Sequence, residues 1–467
     1  MGSEQIKIRS ESQSASSNGS RKKKLKKAWL SIGIAAFILT LTSMRTSLSL
    51  QALDSCLDPL MREEQSKEKS FDFSACLIIM DDNHWLVEWI AYHYHVMPLR
   101  NLVVLPDPSS RTSPKSILDR WMDRMDIEIW NDTHIGHVKN PNESLVEGHN
   151  WRQSRLYQTC LKHFKSKGKS WVMLTDTDEF FDIYIPEHHE VDSIPRNRSV
   201  IRNVTIGIPN TAFTKPGFFA NYLRQEHELK KTALNDANAD STVCINLARY
   251  TAPAKNVDSN DWSRARTILQ GMASNSQNRR TANMSAFDSL TFYPAKGSDI
   301  VDPHKMLTTR FLYYRPEVLQ YLLPKVIVDV SAMAWSDFPP EAPIAPAAQH
   351  QVIPKHCIEA KLYQKIGARS LVRYLNGNQE RPRLFLRHYT GTRKQYNFRR
   401  DPRFYRKAVS KDERWQAEKK AATTMDMSLI PWVEGFVDNV GDKEAKRLLQ
   451  GVGEVHLQQE DTKRRAI

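Results

Sequence analysis

The chain has 467 residues, 40% hydrophobic and 26% charged, which is enough apolar material for a sizeable core and too much for a disordered protein. Its net charge of +14 is front-loaded, because Lys and Arg crowd residues 1–27, and no basic face interleaved with aromatics follows. That pattern argues against a nucleic-acid binder, and the five scattered cysteines, with no CxxC pair, exclude a disulfide-stapled miniature fold and a cysteine-built zinc site.

Residues 1–27 read as a disordered cytosolic tail whose charge orients the chain by the positive-inside rule. The uncharged run Ala28–Met44 is at the short end of what crosses a bilayer, and Leu48–Leu53 extends it past Arg45. Segment 28–50 is therefore expected to be a single-pass signal-anchor, with a cleaved signal peptide as the alternative. A polar stem over 51–70, a folded lumenal domain over 71–440 and a polar tail over 441–467 complete the expected organisation. Sequons at Asn131, Asn142, Asn197, Asn203 and Asn283 agree with a lumenal domain. One internal disulfide, Cys244–Cys357, is expected in that oxidising setting, leaving an odd cysteine.

From Phe71 onward, short apolar runs alternate with helical periodicity. Strands are predicted at Ala75–Met80, Asn101–Leu105, Ile127–Trp130 and Trp171–Thr175. An amphipathic helix is expected over Trp85–His95, a helix capped by Ser113 with Pro114 in its first turn, and a long helix over Asn150–Lys167. Strands separated by helices at this spacing make an α/β fold with right-handed crossovers. Ligands in such sheets bind outside the carboxyl ends of the strands, and the loops there are acidic: Asp81-Asp82-Asn83, Asp107–Ser110 and Asp176–Phe181. Beyond about residue 190 the alternation weakens, and 335–347 is Pro-rich.

The sharpest feature is WVMLTDTDEFF over 171–181. Residues i and i+2 of an extended segment point the same way, so Asp176 and Asp178 can face one ligand. Paired carboxylates suit a hard dication, Mn²⁺ or Mg²⁺, that keeps positions open for substrate phosphates. A solvated turn is the bland reading of any DxD triplet. His388, in RHYTGT, is a candidate third metal ligand or diphosphate contact, with His304 or an ordinary core histidine as the alternatives. The basic residues Arg393, Lys394, Arg399, Arg400 and Arg403 follow as candidates for neutralising a diphosphate, or as a solvated face.

The segments ACLIIMDDNHWLVEWIAYHYHV, WVMLTDTDEFF and RHYTGTRKQYNFRRDPR resemble the glycosyltransferase family 92 and family 2-like enzymes. The resemblance implies a GT-A, Rossmann-like fold with a mixed, mainly parallel sheet flanked by helices. It implies a type II Golgi or ER membrane enzyme that moves a hexose such as galactose from a nucleotide-sugar donor, a UDP-sugar, to a glycan acceptor with inversion. Carried over residue by residue, Asp178 with Asp176 contacts metal and diphosphate, the Asp81, Asp82 and Asn83 loop meets the nucleoside, and Asp107 accepts from uracil or ribose hydroxyls. Glu88 and His93 are expected to pair structurally within the sheet–helix interface. The general base is expected after the DxD strand, at Asp337, ahead of Glu341, Glu226 or Asp288. A catalytically inactive glycan-binding scaffold and a sugar-phosphate transferase are the rival functions.

Overall fold

The first half of the domain alternates strand and helix: β1 (Phe73–Ile79), α1 (Asn83–Val96), β2 (Leu99–Pro106), α2 (Lys115–Leu118), β3 (Asp126–Ile129), α3 (Leu145–Ser166) and β4 (Trp171–Leu174). Then come β5 (Glu179–Ile183), β6 (Ile206–Gly207), β7 (Cys244–Pro253), α4 (Leu307–Arg310), β8 (Tyr313–Tyr314) and β9 (Lys325–Asp329). The chain closes with β10 (Leu384–Gly391), α5 (Arg393–Phe398), α6 (Lys411–Ala421), β11 (Thr424–Asp426), α7 (Trp432–Val440) and α8 (Asp442–Leu448). This computed structural model describes residues 72–136, 145–183, 206–207, 211–224, 243–256, 300–315, 325–338, 384–399 and 410–455. The expected tail, signal-anchor and stem over 1–70 lie outside them. Among the described residues no helix is long and apolar enough to cross a membrane.

Eight strands form one mixed sheet in the order β3-β2-β1-β4-β9-β7-β10-β5. Strands β3, β2, β1 and β4 are mutually parallel. The next two pairings, β4 with β9 and β9 with β7, are antiparallel. β10 is parallel to β7 and antiparallel to β5. A separate three-stranded sheet is ordered β6-β11-β8.

β1 is buried throughout and, apart from Ser74, apolar, because it is covered on both faces. Its odd-numbered residues Ala75, Leu77 and Ile79 join the core under α1, and Cys76 and Ile78 join the core under α3. This is a helix–sheet–helix sandwich. A disulfide between Cys76 and Cys160 ties β1 to α3 within the second core. The expected sequence pattern did not select this pair. Cys244 is also disulfide-bonded, and Cys357, its expected partner, lies outside the described residues.

Two helices depart from expectation. α1 is buried from His84 to Val96 and has no solvated face, since α7 covers the side turned away from the sheet. Trp432 packs edge-on against Tyr92 at 5.4 Å there. The helix predicted after Pro114 is short: it tightens into a 3₁₀ turn over Asp119–Trp121, and Ser113 offers only a 3.3 Å contact to Lys115 N. The fold also continues past residue 440. Ala445, Leu448, Leu449 and Val452 are buried in the core under α1, and Gly453 N donates to His84 O at 3.1 Å. A Cβ at Gly453 would lie 2.0 Å from Lys305 O, and its φ is +69°, so only glycine closes this contact.

Candidate metal centre

Chain order reverses between β1 and β4, which lie side by side although β2 and β3 intervene in sequence. Crevices at such a switch point, outside the carboxyl ends of the strands, are where α/β sheets bind ligands. The loops after β1 and β4 both open there.

After β4 the backbone does not stay extended. The strand ends at Leu174, Thr177 and Asp178 form a turn, and β5 begins at Glu179. Glu179 N donates to Asp176 O at 3.2 Å, while the Glu179 carboxylate accepts from Asp176 N at 2.9 Å. The expected parallel projection of Asp176 and Asp178 therefore gives way to a reversal that delivers β5 to β10. In that pairing His388 stands opposite Glu179.

The reversal brings together Asp178, Glu179 and His388, each offering a ligand atom within 4.8 Å of the others, a group able to hold a metal ion. His388 Nε2 and Asp178 Oδ2 are 3.4 Å apart. Asp178 Oδ1 and His388 Nδ1 are buried and find no hydrogen-bond partner among the described residues. Two carboxylates and an imidazole are a donor set able to hold a divalent metal ion, and the orphaned atoms fit a cation better than a closed ion-pair network. Asp176 stands beside this group without belonging to it: Lys325 Nζ is 2.8 Å from its Oδ2, and Gln153 Nε2 donates to its Oδ1 at 3.2 Å. Glu179 is held by Arg249 at 2.7 Å and by Lys325 at 3.4 Å. It becomes a ligand only by giving up part of those ion pairs.

Arg399 reaches in from the end of α5. Its Nε is 3.3 Å from Asp82 Oδ1, and its Nη1 is 3.4 Å from Asp178 Oδ2. Burial opposes charge on Asp178, yet His388 and Arg399 together hold its carboxyl below the ordinary range. Burial wins at Asp82, which is pushed up to about 7 against the pull of Arg399, and it raises Glu179 as well. Gly391, just before α5, has φ +66°, and a Cβ there would meet the Gln395 carboxamide at 2.9 Å and the Trp85 indole at 3.0 Å. Glycine is what lets this segment pass against the first turn of α1.

The remaining expected residues separate into groups. Asp81 adopts φ 60° and is sealed by Arg111, whose backbone N and Nε donate to it at 2.7 and 2.9 Å. Asn83 Nδ2 donates to Ser113 O at 2.8 Å. Asp107 is engaged by Ser109 and His149. Glu88 accepts from Leu307 N, Thr308 N and Thr308 Oγ1, and His93 Nδ1 bonds Trp89 O at 2.7 Å, so both serve packing around α1. His304 lies on an exposed turn outside the group. Arg393 pairs with Asp412 on the surface, Lys394 is exposed, and Arg400 and Arg403 lie outside the described residues, as do Glu226, Asp288 and Glu341.

Asp337 is not brought to this centre. β9 runs antiparallel to β4 with Asp329 opposite Trp171, so the chain beyond Asp329 leaves at the amino end of β4, away from Asp176. Val330 N bonds Ser170 O at 2.8 Å, Phe338 packs in the core under α3, and Asp337 Oδ2 accepts from Ala334 N at 2.9 Å. Lys325, Arg249 and Glu179 were missed. They are ordinary strand residues in sequence, and only the antiparallel pairings give them a common neighbour.

The chain matches no protein-family model and no curated protein.

Proposed function

We propose that the chain is a metal-dependent glycosyltransferase that moves a hexose from a nucleoside diphosphate donor, a UDP-sugar by preference, to a glycan acceptor with inversion. One observation carries the reading: Asp178 and His388 converge beyond the carboxyl end of β4, close enough to share an ion, and each keeps one buried polar atom without a hydrogen-bond partner among the described residues. Asp178 and His388 would hold Mn²⁺ or Mg²⁺, with Glu179 third. When bound, the dication supplies Lewis-acid stabilisation of the departing nucleoside diphosphate. Lys325 and Arg249 keep Asp176 and Glu179 paired and oriented, and Arg399 is the cation placed to turn from Asp178 toward a phosphate. The acceptor-activating base has to come from somewhere other than Asp337.

A single-pass Golgi or ER membrane location, with this domain lumenal, goes with the reading. The uncharged segment 28–44 supports it. So does the buried Cys76–Cys160 bridge, because disulfides persist in oxidising compartments. The Asn131 sequon sits in an exposed turn, as glycosylation requires.

The test is a nucleotide-sugar panel on the full-length protein in detergent, with and without Mn²⁺, scored for release of nucleoside diphosphate. The expected release requires the metal and falls by about a hundredfold or more in Asp178→Ala. His388→Gln should raise the Mn²⁺ concentration needed for half-maximal rate while leaving the fold intact by circular dichroism. Release that persists in chelator and in Asp178→Ala would remove the reading. A second reading, a glycan-binding scaffold without transfer, draws on the ion pairs that Lys325 and Arg399 already make with Asp176 and Asp178; glycan binding with no donor turnover would select it.

A further inference from the structure

The amino edge of the large sheet, opposite the metal centre, carries an exposed aromatic. Three strand ends stand in register there: Phe73 of β1 is opposite Trp171 of β4, and Trp171 is opposite Asp329 of β9. Neighbouring strands lie about 5 Å apart, so the chain enters β1 roughly 10 Å from the point where it leaves β9. Beyond β9 it turns through Ser331, Ala332, Ala334, Trp335 and Ser336, all exposed.

Trp335 is 58% exposed, although tryptophan is on average a well-buried residue. The indole is braced. Lys165 Nζ stands 5.6 Å from its ring centroid and donates to Val330 O at 2.9 Å and Met333 O at 2.5 Å. The Phe338 ring, buried in the core under α3, lies 5.6 Å from the indole. Met122, 50% exposed, sits in the loop that leads into β3, a strand that runs parallel to β2 and β1, and so belongs to the same edge. Ile129, at the carboxyl end of β3, is the other exposed large apolar side chain among the described residues.

A solitary exposed apolar side chain needs no account. A braced indole does, on the edge where the chain arrives from an uncharged segment near bilayer length. Residues 28–44 carry no charge, and 51–70 separate them from the domain. A stem of that length spans at most about 70 Å, so it permits contact with the membrane without enforcing it. Tryptophan concentrates at membrane–water interfaces because one end of the ring is apolar and the other is a hydrogen-bond donor. The edge has little net charge: Asp329 and Asp337 offset Lys165 and Lys169, and Lys167 pairs with Asp126 and Glu128. A zwitterionic surface suits it.

We propose that the turn around Trp335 docks on the bilayer in which the chain is anchored, with the indole seated in the headgroup layer. The inference rests on the single-pass location proposed above and is independent of the transfer chemistry. It orients the domain. β4 then leads away from the lipid, and Asp178 and His388 lie on the order of 15 Å further out.

The experiment places the full-length protein, labelled with fluorotryptophan, in phosphatidylcholine nanodiscs and reads its fluorine NMR lines. Trp335→Phe and Trp29→Phe each identify one line by its loss, and persistence of the other lines shows that both variants fold. A nitroxide-bearing phosphatidylcholine in the disc should broaden the Trp335 line beyond detection, while a gadolinium chelate in the water leaves it sharp. Trp29, at the start of the uncharged run, should also be broadened by the nitroxide lipid and is the control for the anchor. A Trp335 line that the lipid spares and gadolinium broadens, with Trp29 in the bilayer, would overturn the docking and leave the location standing. So would a Trp335 line that neither reagent touches, or one that responds only to a soluble glycan. A Trp29 line that the nitroxide lipid does not reach would remove the anchor and the docking with it.

Discussion

From β3 to β4 every neighbouring strand pair is parallel, and the connections are short excursions through α1, α2 and α3. From β9 to β5 the sheet is assembled from segments that lie far apart in the chain, with antiparallel pairs at β4–β9, β9–β7 and β10–β5. The first half supplies acidic loops. The second supplies the imidazole of His388 and the cations Lys325, Arg249 and Arg399 that organise those acids. Local alternation builds the crevice, and the non-local strands furnish the imidazole and the cations that face it.

Removing a cation from the non-local half should have the largest effect. Lys325 is fully buried between Asp176 and Glu179. Lys325→Met strands a buried carboxylate, which costs about 3–5 kcal/mol; urea unfolding should report a loss of that size together with weakened Mn²⁺ binding. A loss below 1 kcal/mol would mean that Arg249 alone neutralises the site.

The parallel half should be sensitive to a different bond. The Cys76–Cys160 bridge spans 84 residues of sequence and lies wholly within that half. Replacing both cysteines by serine should lower unfolding stability by about 2–5 kcal/mol. Donor turnover at low temperature should be retained, because both sulfurs sit in the apolar core under α3 and not among the residues of the centre.

Acid should act through the helix that both halves share. Burial holds His93 down to about 3 from an ordinary 6.5. The unfolded chain therefore takes up a proton below pH 6.5 and the folded one does not, so the stability carried by this ring is complete above 6.5 and is lost as the pH falls toward 3. Glu88 has the opposite sign: burial raises it to about 7, and its contribution, complete below 4.5, is lost as the pH rises through 7. The stability difference between His93→Phe and wild type isolates the first effect. It should change by about 1.4 kcal/mol per pH unit between pH 6 and 4, and a flat difference would mean that the ring is protonated in the fold.

The smallest effect is expected at Asp337. Its carboxylate caps a local turn at the far end of the sheet, so Asp337→Asn should change stability by under about 1 kcal/mol and leave donor turnover unchanged. A large loss of turnover would return this residue to the site.

The division between the halves also explains what the sequence made legible. Apolar runs of strand length followed by helical periodicity located β1, β2, β3, β4, α1 and α3 to within a few residues, because each element's signal is local. The acidic loops followed from the rule that ligands lie at the carboxyl ends of strands. Glu179 was visible only as part of a motif, and Lys325 and Arg249 carried no signal, since their meaning depends on strand pairing across long intervals. Asp337 was chosen for its place after the DxD strand, and the direction of β9, which periodicity cannot reveal, put it at the wrong end. Cys160 pairs with Cys76 because α3 crosses β1, a tertiary fact with no spacing signature.

The return of the chain end to the loop after β1 has a practical meaning for anyone making the protein. Gly453 bonds His84 through its N–H and accepts from Gln395 at 3.1 Å through its carbonyl, so the last described residues prop both the helix that follows Asp82 and the helix that leads into Arg399. A purification tag fused close behind Gly453, or a trimmed version ending at residue 440, would loosen two walls of the crevice from outside, and a loss of ion or donor binding obtained that way would say nothing about the residues of the centre.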